Sequence, residues 1–102
     1  MKQNSCIEVV TFKGKPTLTI DEVRTALLRT TPYLKQFDGF LSRTISVNEK
    51  GDFLDVVRWE DMEKAKRAAA SLPQNGELMK LMEVIDFNSV KMEHYTVFSD
   101  AP

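Results

Sequence analysis

Apolar residues recur along this chain with two alternating periods, and the switches between them outline its elements. Cys6 to Phe12 (CIEVVTF) is rich in β-branched and aromatic residues and runs into the turn signal Lys13-Gly14-Lys15-Pro16, so a first strand is expected there. Ile20, Val23, Leu27, Leu34 and Phe37 then recur at helical spacing. Thr19 is placed to cap that helix, Glu22 to reach back in a capping box, and Leu18 to staple onto Val23. Pro32 has no amide hydrogen, so the helix is expected to kink or restart near Thr31 and to form two pieces.

Asp38-Gly39 ends that helical stretch, and Phe40 to Val47 (FLSRTISV) reads as a second strand. Asn48 to Asp52 is a hairpin loop into a third, Phe53 to Trp59 (FLDVVRW). Asp61 is a candidate N-cap for a helix from Met62 to Leu72, whose Ala65, Ala68, Ala69 and Ala70 let it sit close to its neighbours. Pro73 stops it. Asn75-Gly76 opens a short helix from Glu77 to Ile85, with Leu78, Met79, Leu81, Met82 and Ile85 on its apolar side. Asp86 to Ser89 reads as a break before a last strand, Val90 to Phe98 (VKMEHYTVF). The order β-α-β-β-α-β predicts an α+β, ferredoxin-like sandwich: a four-stranded antiparallel sheet with its helices on one face. With 102 residues there is room for one core, so residues 1–102 are expected to form one domain.

The strands lack the alternation of a half-wet sheet. Strand three offers Phe53, Val57 and Trp59 on one side and Leu54 and Val56 on the other. Strand one sets Ile7 and Val9 against Val10 and Phe12, and strand two sets Leu41, Ile45 and Val47 against Phe40. Helices cover only one face, and a large exposed apolar sheet calls for a partner. A homodimer joined through its sheet faces is the expected assembly.

Composition narrows the function. Hydrophobic residues make up 42% and charged residues 28%, as in ordinary globular chains. The net charge of -1 and a pI near 5.8 give no electrostatic reason to expect nucleic acid or an anionic membrane as partner. No apolar run approaches the roughly 20 residues that cross a bilayer. The single Cys6 cannot form an internal disulfide, and Met1 to Ser5 lacks the apolar core of a signal peptide, so a reducing cytoplasm is expected.

Charge in the middle of a strand is costly unless it is paired or wet, which singles out Glu8 and Arg43. In a ferredoxin-like order strand one neighbours strands three and four, so Glu8, Asp55 and His94 meet if they share a face. A carboxylate beside an imidazole sets its tautomer and suits a general base. The structural alternative is an ion pair of Arg43 with Asp55 or Glu8 at the dimer interface, fixing how the sheets dock. A lone histidine among apolar neighbours such as His94, the only one in the chain, is more often a hydrogen-bonded core residue, and Trp59 at a strand end more often a core or rim anchor whose indole finds a hydrogen bond. Met62, Met79, Met82 and Met92 are either plain core or a soft wall for an aromatic ligand. One histidine, one cysteine and scattered acids lack metal-ligand spacing, and there is no phosphate loop or G-x-S-x-G nucleophile motif.

Val9-Val10-Thr11-Phe12-Lys13, Asp38-Gly39-Phe40, Asp55-Val56-Val57-Arg58-Trp59 and Ser89-Val90-Lys91-Met92 with His94 together resemble the dimeric α/β-barrel superfamily that includes the antibiotic biosynthesis monooxygenases. The resemblance spans nearly the whole chain. It implies two sheets packed across a dimer, with a pocket in each subunit between its helices and its own sheet. It also implies catalysis with no metal or flavin cofactor, the substrate's own phenol or dihydroquinone carrying electrons to oxygen. Trp59 sits where the family's strand-three Trp sits, and Asp55 stands where those monooxygenases can place an Asn.

Two functions are therefore expected as alternatives. One is a cofactor-independent monooxygenase-like enzyme for a small aromatic or polyketide-like molecule, with His94 and Asp55 catalytic and Trp59, Glu8 and Arg43 contacting substrate. The other is a non-catalytic dimer that binds a small apolar ligand or serves regulation.

Overall fold

The first strand, β1 (Cys6–Gly14), lies inside a four-stranded antiparallel sheet of order β2-β3-β1-β4, completed by β2 (Phe40–Val47), β3 (Asp52–Trp59) and β4 (Ile85–Thr96). The structure, a computed structural model, describes residues 4–102. Three helices, α1 (Ile20–Leu34), α2 (Met62–Ser71) and α3 (Gly76–Leu81), complete the ferredoxin-like order. No helix among the described residues is long and apolar enough to cross a membrane.

Local sequence explains where the helices begin. The Thr19 hydroxyl accepts from the Glu22 amide at 3.1 Å, and the Glu22 carboxylate accepts from the Thr19 amide at 3.1 Å, closing the capping box. Asp61 caps α2 by accepting from the Lys64 amide at 2.8 Å, and Asn75 caps α3 by accepting from the Leu78 amide at 3.1 Å. Pro32 does not split α1, contrary to the expectation of two pieces. Only the last turn follows it, and the Lys35 amide still bonds the Thr31 carbonyl at 3.0 Å, so one lost rung leaves the helix continuous.

Other boundaries move because strands pair through irregularities. α2 ends a residue early in a 3-10 turn, Leu72–Gln74, which takes Pro73 near its start; a second 3-10 turn, Met82–Val84, follows α3 and hands Ile85 to β4. The expected break at Asp86 to Ser89 lies inside β4 as a bulge, since Thr11 pairs with Lys91 but Lys13 with Asp86. Ser89 holds it, accepting from the Lys13 amide at 2.8 Å and donating to the Asp86 carbonyl at 2.6 Å. β4 stops at Thr96, leaving Phe98 94% exposed. A second irregularity inserts Leu41 between the pairs Phe40–Trp59 and Ser42–Arg58. Phe40 therefore lies with Ile45 and Val47 on the helix side, correcting the expected split, and meets Trp59 edge-on at 5.9 Å.

The helix-covered face carries two cores. α1 packs Val23 and Leu27 on Phe12, Phe53 and Ile85, with the Phe12 and Phe53 rings stacked 5.4 Å apart. α2 packs Ala65 and Ala68 on Cys6, Val57 and Trp59. The opposite face is less uniformly apolar than the strand patterns imply. Ile7, Val9, Leu54 and Val56 form its centre, and Ser42, Thr44, Ser46, Lys91 and Glu93 rim it.

Close approach explains Gly14, where a Cβ would lie 2.5 Å from Val23 Cγ2. Gly14→Ala should destabilise by about 1–3 kcal/mol through overpacking. Urea unfolding checks this, and adding Val23→Ala should recover part of that specific loss; purely additive effects would show the contact to be inert.

Candidate functional site

Between the two cores the helix-facing side of the sheet turns polar. Arg43 on β2 and Asp55 on β3 are diagonal neighbours there, since Arg43 pairs with Val57 and Ile45 with Asp55. Arg43 Nε donates to Asp55 Oδ1 at 3.0 Å and Nη2 to Oδ2 at 2.7 Å. Nη1 donates to the hydroxyls of Thr30 at 2.6 Å and Thr31 at 3.0 Å, on α1. Thr30 in turn donates to the Leu27 carbonyl at 2.6 Å. The Arg43 and Asp55 side chains are only 5% and 11% exposed. The fork geometry of the guanidinium satisfies both charges and ties helix to sheet.

Glu8 on β1 and His94 on β4 are direct cross-strand partners, with Glu8 Oε2 2.8 Å from His94 Nε2. Either His94 Nε2–H donates to a carboxylate, or a protonated Glu8 donates to a bare Nε2. Glu8 is 6% exposed. Burial holds its carboxyl above the usual glutamate range; the His94 hydrogen bond and charge and the Arg43 charge offset this only in part, and Asp55 adds to it. Among the described residues Glu8 Oε1 has no hydrogen-bond partner.

Glu8, Arg43 and Asp55 form one wall of a partly open cavity of about 160 Å³ between sheet and helices. The other walls are apolar: Val10, Phe12 and Val57 from the sheet, and Leu27, Leu34 and Leu78 from the helices. Phe87 and Met92, both exposed, line it from the edge strand β4. A wider groove of about 710 Å³ lies beside the C-terminal segment, but its charged residues include the partly exposed pair Arg58–Asp100, and it contains none of the buried titratable groups. The smaller cavity, which holds the buried titratable groups, is therefore the candidate site.

The structure brings together Glu8, Asp55, Arg43 and, through Glu8, His94 on one face. Trp59 is not among the cavity's lining residues: it is 2% exposed in the α2 core. Its indole Nε1 has no hydrogen-bond partner among the described residues, which corrects the expectation that it finds one. The Arg43–Asp55 pair forms, but beneath α1 and not on the open face, so it cannot fix sheet docking between copies. Of the methionines, Met82 and Met92 line the cavity, while the Met62 sulfur lies 3.6 Å from Cys6 Sγ in the other core. Thr30 and Thr31, which accept from Arg43, are the candidate-site positions that the sequence reading missed; two adjacent threonines in α1 were the available signal. No group of three or more His, Cys, Asp or Glu among the described residues is placed to hold a metal ion.

The sequence matches no protein-family model and no curated protein. Solved structures share the fold over nearly the whole chain. SnoaB from Streptomyces nogalater, a cofactor-independent oxygenase, superposes with a TM-score of 0.68 at 15% identity, covering 97% of this chain and 96% of that one. The ActVA-Orf6 monooxygenase from Streptomyces coelicolor, solved with nanaomycin D, gives 0.71 at 18% identity, covering 97% and 92%. A conserved protein from Methanosarcina mazei gives 0.68 at 11% identity, covering 93% and 94%. The resemblance to antibiotic biosynthesis monooxygenase-like proteins thus holds for the fold.

Arg43→Ala should destabilise by about 3–5 kcal/mol, because it strands the Asp55 carboxylate in a buried site. Denaturant unfolding measures it; a loss below about 1 kcal/mol would mean the clamp is not structural.

Proposed function

We propose that this chain is a cofactor-independent monooxygenase-like enzyme that oxidises a small hydroxyaromatic molecule in the cavity between helices and sheet. The observation that carries this reading is Glu8: a buried carboxyl with one oxygen held by His94 and the other unpartnered at an apolar cavity. Both Asp55 oxygens are occupied and its charge is compensated by Arg43, so the proton acceptor is the Glu8–His94 pair and the Arg43–Asp55 clamp is a positioning element.

With a hydroquinone as substrate the steps balance. Glu8 takes the hydroxyl proton, leaving a phenolate that passes an electron to dioxygen, and the resulting radicals join through a ring C–O bond. The O–O bond then breaks. One oxygen stays on the ring, the other leaves as water, and the four electrons that dioxygen accepts come from the substrate, which leaves as a hydroxyquinone. Apolar walls favour the reaction by excluding water from the radical pair.

Oxygen uptake with hydroquinone tests this. Glu8→Gln and His94→Ala should each lower kcat by about a hundredfold, the usual scale for loss of a positioned base. Uptake no faster than buffer for the unmodified protein, with hydroquinone and 1,4-dihydroxynaphthalene alike, overturns the reading. The pH dependences run in opposite directions. The base must be ionised, so rate should rise with pH through the raised Glu8 value. A raised folded pKa means that the stability contributed by Glu8 is present below the ordinary glutamate value and is lost as pH climbs through the folded value. Glu8→Gln should abolish both slopes.

The assembly proposed with this function is a homodimer through the open sheet face. An apolar centre of Ile7, Val9, Leu54 and Val56 within a polar rim has the anatomy of a protein interface. In sedimentation at micromolar concentration the unmodified chain should be dimeric and Leu54→Asp monomeric; an unmodified chain that sediments as a monomer overturns the assembly.

A further inference from the structure

The size and charge of the cavity say more about its ligand than the oxygenase reading does. We infer that it takes a neutral, single-ring hydroxyaromatic, its hydroxyl donating to Glu8 Oε1 and its ring lying against the apolar walls. The inference rests on the proposed function only in treating this cavity as the substrate site.

Three observations define the class. The volume of about 160 Å³ is close to the roughly 150 Å³ that encloses one benzene ring and well below the roughly 300 Å³ at which pockets for larger ligands begin. One ring fills that volume. The polar wall has no spare positive charge, because the Asp55 carboxylate compensates Arg43, four of whose five N–H groups are bonded to Asp55, Thr30 and Thr31. A ligand carboxylate or phosphate would face Glu8 and Asp55 with no cation to receive it. Glu8 Oε1, on a side chain 6% exposed, is the unpartnered polar atom of that wall. As an acceptor it selects a ligand hydroxyl over a bare ring, because leaving it unpaired beside an apolar group forfeits a hydrogen bond to a charged oxygen.

Anaerobic calorimetry with four probes tests the class: hydroquinone, toluene, benzoate and 1,4-dihydroxynaphthalene. Hydroquinone should bind about tenfold or more tightly than each of the others, the scale of one charge-assisted hydrogen bond or one excluded ring. Glu8→Ala should remove its advantage over toluene. Glu8→Gln, which keeps the side-chain shape and a carbonyl acceptor but no charge, should lose several-fold of hydroquinone's advantage over toluene; an unchanged ratio overturns the proposal, which stays testable if the alanine variant fails to fold. Equal or tighter binding of dihydroxynaphthalene or benzoate overturns the proposal, as does toluene binding as tightly as hydroquinone. Parallel oxygen uptake separates this from the functional reading. Selective hydroquinone binding without uptake sinks the oxygenase and leaves the ligand class standing. Uptake with dihydroxynaphthalene but not hydroquinone does the reverse.

Discussion

The buried pair of Arg43 and Asp55 is the interaction on which the rest of this structure depends. Two charges taken out of water are tolerable only when they are paired and well hydrogen-bonded, and here the partners come from three elements: Asp55 from β3, Arg43 from β2, and Thr30 and Thr31 from α1. Meeting that demand sets how α1 lies across the sheet. It also keeps polar groups at the junction of two apolar cores, one under α1 and one under α2, where side chains leave a cavity instead of closing on each other.

Charge cancellation in that clamp changes the role of its neighbour. With Asp55 neutralised, Glu8 is left as the carboxyl whose protonation responds to the cavity, and burial sets the direction of its shift. His94 opposes that shift from the adjacent strand without abolishing it. In the proposed function the proton held between these two side chains is the one that moves, and the clamp beside it holds geometry.

Other polar and aromatic strand residues take structural roles for reasons of position. Trp59 shares the face of Asp55 but lies two pleats further along β3, past Val57, where α2 covers it with alanines. The pattern that suggested a ligand contact marks a core anchor instead. The open face likewise keeps its apolar residues near the centre of the sheet, with serine and threonine along β2 and charge on β4.

Sequence by itself determined the element order and the helix starts, which follow from local periodicity and from caps completed within four residues. It left open whether Glu8, Asp55 and His94 share a face, which the strand register decides. Tertiary structure decided what depends on register and on approach between distant segments. The bulges at Leu41 and in β4, the passage of α1 through Pro32, the claim of Thr30 and Thr31 on Arg43, and the exclusion of Trp59 from the cavity all required the packed elements. Each reflects a competition between partners far apart in the chain: whether a buried donor or acceptor is met by a side chain, by backbone or not at all is settled only when the helices close over the sheet.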